Sequence, residues 1–197
     1  MDLQTDQFHI LNDISAERLN LAMEGEDTTL AQALEDAGLI EHSEAFTPIS
    51  LHQTSGFFEQ RWMAPLVNST CSWKDKLFAT IVVVRTNWKL KRSSMADILR
   101  EMAATPSAAG YPLKGGTRLA ELMSALNAAF AFDRTRNQCL AYSYSLAWMA
   151  RRQGIRAELV IGVRTKPFFS HAWIEYGNQA VNDDSMLREK LSVIAVA

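Results

Sequence analysis

Gln138-Cys-Leu-Ala-Tyr-Ser-Tyr-Ser-Leu-Ala-Trp-Met-Ala-Arg-Arg152, then Ile155 to Val163, Ser170-His-Ala-Trp-Ile-Glu175 and Gln179-Ala-Val-Asn-Asp183, is the stretch on which the fold turns. Cys139 opens an apolar helix that runs to about Arg152. Arg151 and Arg152 suit the negative end of its dipole, and Gly154 is placed as its C-cap. From Ile155 to Val163, apolar residues alternate as on one face of a strand. Arg164 to Phe169 is a turn around Pro167, and Ser170 to Tyr176 is a second strand. Gly177-Asn178 is a tight hairpin turn, and Gln179 to Asp183 is a third strand. One helix followed by three antiparallel strands gives the class, α+β.

Upstream, helical spacing recurs. Lys74 to Lys89 reads as an amphipathic helix with a strongly apolar middle. Ser93-Ser94 caps a helix ending near Met102. Thr117 to Phe132 is another, with Leu119, Leu122, Met123, Leu126 and Phe130 on one face. Ala103 to Gly116 is a loop rich in small residues, Pro and Gly. Residues 45–72 read as a linker that docks Phe57, Phe58 and Trp62 on a neighbour. Residues 1–44 form a separate unit. A hairpin spans the first eleven residues, with Phe8 and Ile10 on one strand face. Asn12-Asp13 caps a helix over roughly Ser15 to Met23. A second helix follows through Leu30, Leu34 and Ala37 and closes at Gly38, and Leu39-Ile40 re-enters as a short strand. The expected domains are thus 1–44, a linker over 45–72, and 73–197.

Charge supports the division. Residues 1–50 carry eleven Asp and Glu against Arg18 alone, a balance of −10; the remaining residues balance at +8, within a net charge of −2. Near-neutrality overall argues against a dedicated nucleic-acid binder. The two cysteines, Cys71 and Cys139, are too few for a disulfide framework. No secretory signal is visible, and the longest apolar run, Leu77 to Val84, is far too short to span a bilayer. A reducing cytoplasm is the expected compartment.

The chemistry lies in the last third. A thiol attacks a carbonyl as thiolate, and a helix N-terminus and a nearby imidazolium both favour that form. An isolated cysteine more often simply packs, and Cys71 keeps that reading. Cys139 begins a helix, His171 lies on a strand 32 residues later, and acids follow on the next strand. Papain- and transglutaminase-like enzymes use this order, with the His deprotonating the Cys and an Asp or Asn orienting the ring. A strict Gly177-Asn178 turn sets His171 opposite Asp184, whereas a one-residue bulge brings Asp183 to it. The residues alone leave these two even, with Glu175 third. Gln138 and the Cys139 backbone N–H are candidate oxyanion donors. Four histidines without close pairing give no metal pattern, and no phosphate-binding loop is present.

Cys139 to Ala147, Leu159-Val-Ile-Gly-Val-Arg-Thr-Lys-Pro-Phe168, Ser170 to Glu175, Val181-Asn-Asp183 and Lys190-Leu-Ser-Val-Ile-Ala195 together resemble the lasso-peptide leader peptidases, the B proteins of microcin-type lasso pathways. The likeness is dense over about residues 137–195 and thin over 45–136, where Phe58-Glu-Gln-Arg-Trp62 carries it. The resemblance implies a papain/transglutaminase-like domain with a Cys–His–Asp triad. Its acid, from the Val-Asn-Asp motif, corresponds to Asp183. It implies removal of the leader from a ribosomally made precursor, after which a partner ATP-dependent cyclase, similar to asparagine synthetase, closes the macrolactam ring. ATP is linked to such systems; this chain shows no site for it, so a requirement would run through the cyclase. The resemblance also makes residues 1–44 a small winged-helix-like module that recognises the precursor by strand addition, with Phe8, Ile10 and Leu34 near its groove. The family module has an additional strand before the hairpin, and here Met1 falls almost at the hairpin: either the chain start is late or the module is reduced, lacking its first strand. Two other readings share these residues: a transglutaminase-like acyltransferase, and a precursor-binding protein without catalysis.

Overall fold

The computed structural model describes residues 14–40, 64–106, 115–131, 138–165 and 168–197. The chain divides into two units, Met1–Gln53 and Thr54–Ala197. The expected N-terminal hairpin, with Phe8 and Ile10, lies outside the described residues, as do Phe57, Phe58 and Trp62.

In the first unit, α1 spans Ala16–Met23 and α2 spans Thr28–Asp36. The cap of α1 is Ser15 rather than Asn12-Asp13: its hydroxyl accepts from the Arg18 amide at 3.2 Å. Asp27 caps α2 in the same way, and Arg18 also reaches its carboxylate at 2.8 Å. Gly38 follows α2 at φ +66°, a left-handed helix ending. Leu39 and Ile40 form no strand; they pack against a small core of Ala22, Leu30 and Leu34. The winged-helix expectation rests on the hairpin and so lies outside the described residues.

Among the described residues of the second unit, the first helices are α3 (Trp73–Leu90), α4 (Met95–Ala104) and α5 (Gly115–Phe130). Both α3 and α4 open with capping boxes, Ser72 with Asp75 and Ser94 with Asp97. One face of α3 is buried through Ala79, Val82, Val83 and Thr86. The other is not polar, as an amphipathic reading requires: Trp73, Leu77, Ile81, Val84 and Trp88 are all more than half exposed. Arg118 of α5 forks onto Asp75 of α3, with N–O distances of 2.5 and 3.1 Å, and ties these two helices together. The α5 face Leu119, Leu122, Met123, Leu126 and Phe130 is buried as its spacing requires.

α6 (Gln138–Arg151) is the central element, packed against α3, α4, α5 and the sheet. Every residue from Ala141 to Ala147 is buried, so this helix is enclosed all round rather than amphipathic. Its far end is fixed by Arg151. That side chain does not extend to solvent but is buried, donating to the carbonyls of Ala157 and Met102.

The sheet has the order β3-β2-β1-β4, all neighbours antiparallel. β1 is Glu158–Thr165, β2 Phe168–Tyr176, β3 Gln179–Ala180 and β4 Ser192–Val196. A short α7, Leu187–Lys190, precedes β4. The β2–β3 turn is the tight one expected: Gly177 and Asn178 both have positive φ and Tyr176 pairs with Gln179. β3, however, stops at Ala180 rather than reaching Asp183. Leu159, Ile161, Ala172 and Ile174 join the core that contains α6, while Val160, Trp173, Leu187 and Leu191 form a second cluster.

Gly162 of β1 lies opposite His171 of β2. A Cβ at Gly162 would meet two ring carbons of Trp173 at 2.8 Å and Leu191 Cβ at 3.0 Å. The indole thus lies over bare backbone. Gly162→Ala should displace the ring and cost about 1–3 kcal/mol by overpacking. Urea unfolding followed by tryptophan fluorescence checks this; an unchanged midpoint would show that Trp173 has room to move.

Candidate active site

Cys139 lies in the first turn of α6, where amides without an intrahelical acceptor and the helix dipole favour negative charge. It is partly buried. Burial by itself would raise the thiol, but a hydrogen bond and charge from His171, with the Ala172 and Leu140 amides donating to sulfur, outweigh it. The thiol therefore sits below its ordinary value. The other cysteine, Cys71, is a half-buried residue packed on the core.

His171 is almost wholly buried, with Phe169 and Trp173 stacked on either side at centroid distances of 5.9 and 6.3 Å. All three alternate on one face of β2, which fixes the ring plane. Its Nε2 lies 2.7 Å from Asp183 Oδ2. With Nε2 taken by Asp183, Nδ1 is the ring nitrogen left for Cys139. Burial would depress the imidazole. The bonds to Asp183 and Cys139, with their charges, prevail and raise it to about 9. Thiolate and imidazolium thus stabilise one another.

The structure brings Asp183, not Asp184, to His171, and without a bulge at the turn. Tyr176 pairs with Gln179 and Glu175 with Ala180, the strict register. The Val181 amide still donates to the Ile174 carbonyl at 3.0 Å. The returning bond is diverted: the Ile174 amide donates to Asn182 Oδ1 at 2.7 Å. Residues 181–183 are bends, and Asp183 leaves the ladder facing the imidazole. Its other oxygen accepts from the Asp184 amide at 2.8 Å. Asp184 turns away, accepting from the Met186 amide and pairing with Lys190.

Because β3 ends early, β2 has an open edge beside the site. The polar groups of Ile174 point toward β3, so by alternation those of Ala172 point the same way. The Ala172 carbonyl accepts from Ser143 Oγ at 3.0 Å, and its amide serves the Cys139 sulfur. Asn182 Nδ2 donates to the same Ser143 Oγ at 3.0 Å. Each of these buried groups left unpaired would cost about 1–3 kcal/mol. Nothing in the local sequence assigns a role to Ser143 or Asn182, since an Asn beside an Asp after a hairpin looks like ordinary turn chemistry.

Glu175, the third-ranked acid, is engaged elsewhere. It accepts from Trp173 Nε1 at 2.9 Å and holds Arg188 in a two-pronged pair at 2.8 Å each. Gln138 is the first residue of α6, directly before Cys139. Leu34 lies inside the core of the first unit. Among the described residues no cluster of His, Cys, Asp and Glu is arranged to hold a metal, and no helix is long and apolar enough to cross a membrane.

The thiolate is directly measurable. At about pH 6 an ordinary thiol is well under 1% ionised. Iodoacetamide should label Cys139 at that pH roughly tenfold faster than Cys71, and His171→Ala should remove the advantage. Peptide mass spectrometry distinguishes the two cysteines. Equal labelling of both would exclude the ion pair.

Residues 80–196 match the family model described as the transglutaminase-like superfamily. Over 150 residues the chain is 34% identical to the microcin J25-processing protein McjB of Escherichia coli, covering 75% of this chain and 71% of that protein. No solved structure gives a significant match. With the family match spanning more than half of the sequence, and with a relative this similar, the chain belongs to the transglutaminase-like superfamily.

Proposed function

We propose that the protein is a cytoplasmic cysteine peptidase that removes the leader from a ribosomally made lasso-peptide precursor, before a partner ATP-dependent cyclase closes the macrolactam ring. The observation that carries this reading is the Cys139–His171 pair at the start of α6, with Asp183 at 2.7 Å behind the imidazole. The similarity to a microcin J25-processing protein supports the substrate class.

In this reading the Cys139 thiolate attacks the scissile carbonyl carbon, and the carbonyl electrons move to oxygen. The Cys139 amide and the Gln138 side chain are the proposed donors to that oxyanion. His171 passes the Nδ1 proton to the departing amine, the C–N bond breaks, and a thioester remains. Water, deprotonated by the now neutral imidazole, hydrolyses the thioester and restores thiolate and imidazolium. Asp183 holds Nε2–H throughout, fixing tautomer and ring orientation. The acidic N-terminal module recognises the precursor through Phe8 and Ile10, with Leu34 supporting the groove from the interior.

Mass spectrometry of the co-encoded precursor, incubated with this protein with and without ATP and the cyclase, tests the reading. Cys139→Ala and His171→Ala should abolish leader release. Asp183→Asn should lower kcat/KM roughly 10³-fold. Normal processing by Cys139→Ala would refute the thiol mechanism. The pH profile of kcat/KM should be bell-shaped. Its acid limb follows protonation of the thiolate, and its alkaline limb follows loss of the His171 proton near about 9.

Deleting residues 1–44 should raise KM at least about tenfold with little change in kcat. Unaltered processing at low precursor concentration would remove the recognition role from that module.

A further inference from the structure

We propose that Asn182 is a positioning residue: its carboxamide ends β3 and thereby sets which of two adjacent aspartates meets the imidazole. The inference rests on the peptidase reading for its kinetic consequences, but its physical basis is independent of the substrate.

The argument begins with register. With Tyr176 opposite Gln179 and Glu175 opposite Ala180, continued pairing would set His171 across from Asp184. Asp183 would then fall opposite Ala172, with its side chain on the other face of the strand. What interrupts this pairing is a side chain acting as backbone. Asn182 Oδ1 takes the Ile174 amide at 2.7 Å, the bond that the Val181 carbonyl would otherwise accept. The carboxamide is anchored at its other end by Nδ2–H to Ser143 Oγ at 3.0 Å, on the central helix. Asn182 is buried, at 1% exposure, as is Ser143. An amide is required for both bonds, since it presents one acceptor and donors on a single planar group. A carboxylate has no donor for Ser143, and a hydroxyl is too short to span both.

The same substitution of side chain for strand opens the edge of β2. The Ala172 amide and carbonyl are left for Cys139 and Ser143. Asn182 is therefore linked to both members of the ion pair: to His171 through Asp183, and to Cys139 through Ser143 and Ala172.

Asn182→Ala should lower kcat for precursor cleavage at least about tenfold with KM within about threefold, the pattern of a lost transition-state interaction. It should also reduce the low-pH alkylation of Cys139 to the level of Asp183→Asn. A residue that acts through Asp183 gives non-additive effects. The double variant Asn182→Ala/Asp183→Asn should therefore lose less than the product of the two single losses. A merely stabilising role would lower the thermal midpoint while leaving the alkylation profile as in the parent protein, and that result would overturn the proposal. So would multiplicative loss in the double variant. If the parent protein cleaves no precursor, the peptidase reading fails, and the alkylation comparison still decides the role of Asn182. If Asn182→Ala does not fold, Ser143→Ala decides it. That variant removes the anchor of Asn182 and should slow alkylation at about pH 6 by roughly threefold or more; an unchanged rate would refute the proposal.

Discussion

Two backbone groups of Ala172 and the amide of Ile174 point outward from β2 at a place where the neighbouring strand has already ended. Buried amides and carbonyls must be paired, and here the partners come from side chains. Asn182 takes the Ile174 amide, Ser143 takes the Ala172 carbonyl, and Cys139 sulfur takes the Ala172 amide. Meeting this one requirement seats the N-terminal half of α6 on the edge of β2. It also turns Asp183 toward His171. The same unpaired edge that would be an aggregation hazard on an exposed sheet is here closed by the residues of the candidate site.

The surrounding packing makes that arrangement stiff. α6 is enclosed by helices and sheet, and Arg151 ties its last turn to Ala157 and Met102, so the helix cannot slide without breaking buried bonds. On the other strand face, Phe169, His171 and Trp173 stack in line. Trp173 is held in turn by Glu175 and Arg188 and lies over Gly162. The imidazole is thus fixed from above, below and behind before any substrate arrives, which is the preorganisation that covalent catalysis needs.

Much of this was legible from residue pattern. Period 3.6 located α3, α5 and α6, alternation located β1 and β2, and Gly177-Asn178 located the hairpin turn. The order Cys139, His171, then an acid was readable because the chemistry of a thiol constrains residue type and sequence order together. The choice between Asp183 and Asp184 was not, since ladder geometry alone leaves it open. It depends on a carboxamide 1% exposed inside the fold, and no periodicity reports that a side chain will stand in for a strand. The outer face of α3 misled for a related reason: hydropathy cannot tell which apolar side of a helix is inside. α7, β4 and the role of Gly162 carry weak local signals and are set by tertiary packing.

The opposite displacements of the Cys139 and His171 proton affinities shape how the native state responds to acid and base. In an unfolded chain the imidazole and thiol have their ordinary values, 6.5 and 9.0. Between those values both are neutral when unfolded, whereas the fold favours the ionised thiol and the protonated ring. In that interval the two shifts act on stability with opposite slopes against pH and offset one another. Below it, the unfolded imidazole is already charged; forming the pair expels a proton, and the share of Cys139 declines as the pH falls. Above it, the unfolded thiol is already ionised; forming the pair takes up a proton, and the share of His171 is lost as the pH rises through about 9. The two shifts therefore bound the contribution of the site from opposite sides, Cys139 toward acid and His171 toward base.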